Sequence, residues 1–286
     1  RLYFKSIKIY KMSNIQINDF EIGNTLPLTI IGGVNVLESD QLCSEVANTF
    51  VNLSKKHSFN FIFKGSFDKA NRSSYKSFRG PGLTKGLHML EKIKNDFDVP
   101  VITDIHEPNQ ANQVAQVCDI IQVPAFLCRQ TDLIRAAAET RKPLHIKKPQ
   151  FLSASDMKNV VEKCFSFGNK NIFLCERGNI FGYNNLVVDM LNFQTLKSFN
   201  LPVIFDVTHS LQIPGGLGIS TGGRRELFLP LAKSGVAQKI AGLFIETHTN
   251  PDDAKCDGPC AININNLDRY LKEIVDLDKL IKAQED

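Results

Sequence analysis

The sequence has no apolar run approaching the ~18–20 residues that cross a bilayer, which argues against an integral membrane protein. It has no block of like charges, and 18 glycines and 12 prolines among 286 residues are too few for a low-complexity chain. It also lacks paired Cys-x-x-Cys spacing. Its seven cysteines, Cys43, Cys118, Cys128, Cys164, Cys175, Cys256 and Cys260, stand apart, and several lie inside apolar runs. That pattern predicts reduced cytosolic thiols, with neither a disulfide framework nor a zinc site. Surplus charge is small: 34 Lys plus Arg against 30 Asp plus Glu leave +4. All of it lies in residues 1–11, where Arg1, Lys5, Lys8 and Lys11 meet no acid. The rest is neutral, so nucleic acid is not an expected partner. The leading segment lacks the apolar stretch and cleavage site of a secretory signal. With Met12 directly after it, residues 1–11 read as an upstream extension. No linker rich in Pro, Gly or Ser divides residues 12–286, which read as one domain.

What the chain does have is a repeated pattern. Short apolar or β-branched runs recur at 27–33, 59–65, 99–104, 118–123, 143–148, 171–176, 202–207 and 241–246. Continuous hydrophobicity suits parallel strands buried on both faces. The intervals between them are long enough for crossover helices, as at 39–56, 153–168 and 266–283, with Ser39 and Ser153 or Ser155 as capping residues. Eight strands alternating with eight helical intervals predict an α/β fold, a (β/α)8 TIM barrel. A doubly wound open sheet is the alternative, but the segment after the first strand, GGVNVLES, lacks a Gly-x-Gly-x-x-Gly fingerprint. Residues 14–24 alternate around Asp19 and predict a short N-terminal β-hairpin capping the bottom of the barrel.

In such a barrel the residues just past each strand converge on the C-terminal mouth. They are Asn35, Lys64, Asp104 with His106, Gln122, Lys147 with Lys148, Arg177, Asp206 with His209, and Glu246 with His248. Lys64, Lys147 and Arg177 beside carboxylates predict attraction of an anion with more than one charged group, such as a phosphorylated carboxylate. The loop over 64–82 adds Lys69, Arg72, Ser73, Ser74 and Arg79, donors suited to phosphate oxygens. The loop over 210–226 has five glycines and reads as a mobile lid that excludes water. His209, Glu246 and Asp257 could be three ligands of a divalent ion. The fourth position is then Asn35, and a neutral amide is a poor ligand for a transition metal. His88 and His145 read as a helix-face and a strand histidine. Cys256 and Cys260 have no partner pair.

Several segments carry a resemblance. They are KGSFDKANRSS…FRGPG (64–82), TDIHEP (103–108), QVPAFLCRQTDL (122–133), KKPQF (147–151), CERGNIFGYNNLVVDM (175–190), FDVTHSLQ (205–212), GGRRE (222–226) and KCDGP (255–259). The chain resembles, from about residue 14 onward, the 3-deoxy-D-manno-octulosonate 8-phosphate synthases. The resemblance implies a transferase that condenses phosphoenolpyruvate with arabinose 5-phosphate and water and releases phosphate, in the cytoplasm, for the inner core of lipopolysaccharide. It also implies a homotetramer, with no membrane partner. Lys64, Lys147, Arg177, Gln122 and the Pro124–Ala125 backbone are implied to bind phosphoenolpyruvate, and Ser66 is implied to be substrate-binding. Asn71, Arg72 and Ser73 are implied to bind the aldose phosphate, with Lys69 and Asp104 near the sugar hydroxyls. Arg129 is similar to an arginine that reaches a neighbouring subunit's phosphate site. The family has a metal-dependent branch with cysteine at the position of Asn35 and a metal-independent branch with asparagine there. Asn35 and KCDGP resemble the second, so no metal cofactor is implied.

Elementary chemistry points the same way. Attack of C3 of phosphoenolpyruvate on an aldehyde leaves negative charge on the aldehyde oxygen, which Lys147 can protonate. Water held by Asp257, His209 and Asn35 can then attack C2, with Glu246 completing the group. The rivals are a heptulosonate synthase using erythrose 4-phosphate, a Schiff-base aldolase built on Lys147 or Lys148, and a non-catalytic sugar-phosphate-binding barrel.

Overall fold

The computed structural model of the chain describes residues 13–180, 185–214 and 222–284. The proposed extension over 1–11 lies outside the described residues, as does the centre of the glycine-rich lid. Eight parallel strands form the core: β1 (Thr29–Val36), β2 (Asn60–Ser66), β3 (Val101–Asp104), β4 (Ile120–Val123), β5 (Leu144–Lys147), β6 (Ile172–Glu176), β7 (Val203–Asp206) and β8 (Gly242–His248). Each pairs with the next, and β8 pairs with both β7 and β1, so the sheet closes. The strands coincide with the eight apolar runs, and the fold is the expected (β/α)8 barrel.

Eight helices return the chain: α1 (Asp40–His57), α2 (Leu83–Phe97), α3 (Ala111–Val117), α4 (Thr131–Glu139), α5 (Met157–Ser166), α6 (Leu191–Lys197), α7 (Phe228–Val236) and α8 (Leu267–Lys282). Ser39 caps α1 as expected, its Oγ accepting the Leu42 N–H at 3.2 Å. Lys55, Lys56 and His57 in the last turn of α1 complement its dipole. Helix α5 starts four residues later than the pattern suggested. Ser153 Oγ accepts the Asp156 N–H at 3.2 Å and so closes a turn ahead of the helix.

Strand residues two apart share a face, and the core divides accordingly. Ile31, Ile62, Ile102, Ile120, Phe173, Ile204 and Phe244 fill the barrel interior. Their sequence neighbours Ile30, Phe61, Phe63, Ile121, Leu174, Phe205 and Ile245 belong to the layer between strands and helices. The expected hairpin is present: Ile15–Ile17 pairs antiparallel with Phe20–Ile22 across a turn with Asn18 at φ 46°. Ile15, Ile17 and Ile22 join the interior cluster, so the hairpin plugs one end of the barrel. Asn24 fastens it there, donating to the Leu201 carbonyl at 3.0 Å and accepting the Val203 N–H at 2.9 Å. The polar mouth is therefore at the other end.

Candidate active site

Following the inward face of each strand upward takes the chain from oil to charge. Ile31 leads to Gly33 and Asn35, Ile62 to Lys64 and Ser66, Ile102 to Asp104, and Ile120 to Gln122. His145 leads to Lys147, Phe173 to Cys175 and Arg177, Ile204 to Asp206, and Phe244 to Glu246. The interior is apolar at the plugged end and ionisable at the open one. Lys148 and Glu176 have the opposite parity and face the helices.

The open end holds a cavity of about 670 Å³. Lys64, Lys69, Asn71, Arg72, Ser73, Asp104, Gln122, Pro124, Ala125, Lys147, Arg177, His209 and Asp257 line it. Asn35, Ser66 and Glu246 sit buried directly behind, each hydrogen-bonded to a lining residue. Arg129 is exposed and does not line this chain's cavity. Arg79 and Ser74 are not in the lining either. Arg79 instead forks onto the Asp68 carboxylate, its Nε donating at 2.8 Å, and Ser74 Oγ accepts the Lys76 N–H.

Charges in the mouth are paired in a fixed order. Lys64 Nζ meets Glu246 Oε1 at 3.0 Å, Ser66 Oγ at 2.9 Å and the Asn35 carbonyl at 3.2 Å. Gly33 stands between Lys64 and Glu246 in the strand register. A Cβ on Gly33 would run into the Lys64 backbone carbonyl. Ser66 Oγ donates to Asp104, whose other oxygen faces His106 Nε2 at 3.0 Å. Asp206 bonds Lys147 Nζ, accepts from His209 Nδ1 at 2.7 Å and caps the turn carrying that histidine, accepting its N–H at 2.9 Å. His209 Nε2 then lies 3.4 Å from Glu246 Oε2 and 3.9 Å from Asp257 Oδ2. Asn35 Nδ2 donates to Asp257 Oδ2 at 2.8 Å.

Comparison with known proteins gives the family. The sequence profile of the DAHP synthetase I family matches residues 9–283. The chain belongs to the DAHP synthetase I family. Within it, proteins of Pseudomonas paraeruginosa and Pseudomonas aeruginosa are each 55% identical over 94% of this chain and 96% of their own length. A protein of Hahella chejuensis is 55% identical over 94% of this chain and 95% of its own. All three are named 2-dehydro-3-deoxyphosphooctonate aldolase.

In this family member, burial alone would raise the mouth carboxyls, but neighbouring basic groups and hydrogen-bond donors outweigh it. His209, Lys147 and Arg177 hold Asp206 well below the usual range. His106, Lys64 and Lys69 do the same for Asp104, and His209 with Lys64 or Lys69 lowers Glu246 and Asp257. The carboxylates stay ionised and fix the lysines in place. Donors remain. Among the described residues Arg177 Nη1 is buried and unpaired, and Lys69, Asn71, Arg72 and Ser73 present further donors to the cavity. Anionic oxygens are what such donors suit.

His209, Glu246 and Asp257 offer ligand atoms within 4.8 Å of one another, a group that could hold a cation. Lys64 already occupies one oxygen of Glu246, and the Asn35 amide presents an N–H, not an oxygen, to Asp257.

Three features escaped the sequence reading. Asp206 was placed at the mouth without a role, yet it links Lys147 to His209. Lys148 was paired with Lys147 as a mouth residue. It is buried behind the wall, 3.4 Å from Glu176 Oε1 and 2.9 Å from Asn179 Oδ1, and it ties down the loop after β5. His145 was read as a plain strand histidine. It is fully buried, and burial, then the nearby Lys147, push its pKa well down. The alternating parity of the strands could have flagged both Lys148 and His145.

The shift on His145 has a stability consequence. The unfolded chain binds a proton there as pH falls below about 6.5, whereas the folded chain does not. Stability therefore falls with pH from that point, by up to about 1.4 kcal/mol per pH unit for this one group. Denaturant midpoints between pH 7 and 5 should show that slope, and His145→Asn should flatten it. An identical slope in the variant would refute the assignment.

Proposed function

We propose that this chain condenses phosphoenolpyruvate with arabinose 5-phosphate and water, giving 3-deoxy-D-manno-octulosonate 8-phosphate and inorganic phosphate. The observation that carries this is one cavity bearing two sets of anion-binding donors. Lys64, Gln122, Lys147 and Arg177 come from the barrel interior, and Lys69, Asn71, Arg72 and Ser73 from the loop after β2. Two phosphorylated substrates need two such sets. The names of relatives at 55% identity specify the eight-carbon product.

In the reaction the first set holds the carboxylate and phosphate of phosphoenolpyruvate and the second the phosphate of the aldose. C3 of phosphoenolpyruvate bonds to the aldehyde carbon while Lys147 gives a proton to the aldehyde oxygen. Water attacks the cationic C2 from a site made by Asn35, His209 and Asp257, and His209 receives its proton. The Asn35 Oδ1, buried without a protein partner, is an acceptor for that water. The resulting hemiketal phosphate expels phosphate. This route needs no metal, and the amide at Asn35 supports that reading. Arg129, exposed and outside its own chain's cavity, serves a neighbouring subunit of a homotetramer in this scheme. Seven buried free thiols suit a cytoplasmic protein, and no helix among the described residues is long and apolar enough to cross a membrane.

Phosphate release is the test, scored with arabinose 5-phosphate or erythrose 4-phosphate, each with and without a chelator. Release with the five-carbon sugar, unaffected by chelation, is expected. Preference for the four-carbon sugar would make the chain a heptulosonate synthase, and no release despite binding would make it a sugar-phosphate binder. Loss on chelation restored only by a divalent metal would overturn metal independence. Borohydride should trap nothing, since Lys147 is paired with Asp206 and Lys148 with Glu176.

A further inference from the structure

We propose that His145 is a positioning residue that fixes the orientation of the Gln122 amide, so that its two N–H donors face an anionic substrate. Residues Gln122 and His145 are register partners on β4 and β5, and both point inward. His145 Nδ1 lies 3.0 Å from Gln122 Oε1. Gln122 lines the cavity, while His145 is sealed one layer below it. The imidazole is clamped, its ring stacked 4.9 Å from Phe173 and 6.0 Å from Phe244 between centroids. A fully buried ring packed against two aromatic neighbours has little room to swing to another partner.

Which atom of the amide faces the cavity depends on the tautomer of this ring. His145 Nε2 is buried and has no partner among the described residues. A proton on Nε2 would leave a buried donor unsatisfied, which proteins almost never tolerate. A bare nitrogen lone pair in the same place costs less. The proton therefore sits on Nδ1 and is donated to Gln122 Oε1. That occupies the amide oxygen and turns the NH2 group toward the cavity, where Lys147 and Arg177 also converge. Burial keeps the ring neutral, so the device adds direction without adding charge. The alternative amide orientation would aim an oxygen at a carboxylate or phosphate and repel it. The inference rests on the proposed function only in naming phosphoenolpyruvate as the anion that Gln122 reads.

Two measurements test it. Nitrogen-15 NMR of the intact protein, which needs no substrate, should show His145 as the Nδ1–H tautomer at neutral pH. The Nε2–H tautomer would overturn the proposal. In kinetics, His145→Phe keeps the ring and removes the donor. It should raise the KM for phosphoenolpyruvate about tenfold, the worth of one hydrogen bond of ~1.4 kcal/mol, with kcat changed less than about twofold. Gln122→Ala should raise KM similarly, and the double variant should be no worse than Gln122→Ala alone. His145→Asn, whose amide nitrogen can stand near the place of Nδ1, should recover most of the loss. Additive effects of the two substitutions, or a KM unmoved by His145→Phe, would show that the histidine only fills space. If the wild-type protein released no phosphate, the functional reading would fail, and the tautomer would still decide the matter for His145.

Discussion

Asp206→Asn should lower kcat by roughly 10²- to 10⁴-fold, the range lost when positioned proton transfer is disabled. The carboxylate accepts from Lys147, from His209 Nδ1 and from the His209 N–H at once. An amide keeps the shape and supplies only one oxygen. Either Lys147 and His209 Nδ1 then face an N–H group, or the turn that carries His209 loses its cap. In both cases the proposed proton donor for the aldehyde oxygen and the proposed acceptor for the water proton lose their shared anchor. Substrate contacts made by Arg177, Gln122 and the loop after β2 are untouched, so KM should move far less than kcat. The check is steady-state phosphate release alongside a thermal melt, because a fully buried carboxylate also supports the fold. A folded variant with kcat within about twofold of wild type would remove Asp206 from the mechanism.

The second large effect is expected at the water site. Asp257→Ala and His209→Ala should each reduce kcat by about 10²-fold or more, and Asn35→Ala by less, since it removes hydrogen bonds but no charge or proton acceptor. The residues are not independent. Removing Asp257 leaves Asn35 Nδ2 without the acceptor it holds at 2.8 Å and takes away one of the two carboxylates facing His209 Nε2. The double variant Asn35→Ala, Asp257→Ala should therefore lose less than the product of the single losses. If all three single variants turned over normally, water activation would have to be assigned elsewhere in the cavity.

Much of this protein was legible before any coordinates. Eight buried strands announce themselves because residues covered on both faces must be apolar throughout, and the intervals between them leave room for helices. The hairpin was legible from its alternation. Positions at the strand ends named eight residues of the cavity lining, Lys64, Lys147 and Arg177 among them, because strand direction puts successive ends on the same rim. The start of α5 was misplaced for a local reason, since serine side chains close turns as readily as they cap helices.

Pairing was not legible. Arg79 and Arg72 sit in one loop with the same donor chemistry, yet Asp68 captures Arg79 and leaves Arg72 in the cavity lining. Lys147 and Lys148 are adjacent, and parity sends one to Asp206 in the mouth and the other to Glu176 behind the wall.

By itself, the sequence determined which residues are apolar, which alternate, and which charged groups end a strand, because these depend on local order along the chain. Only the tertiary structure decided which carboxylate holds which lysine, that Lys64 reaches Glu246 across the intervening strand, and that Asp206 joins Lys147 to His209. The physical reason is that Coulomb and hydrogen-bond contacts act over a few ångströms between groups far apart in sequence. The barrel's register sets those distances.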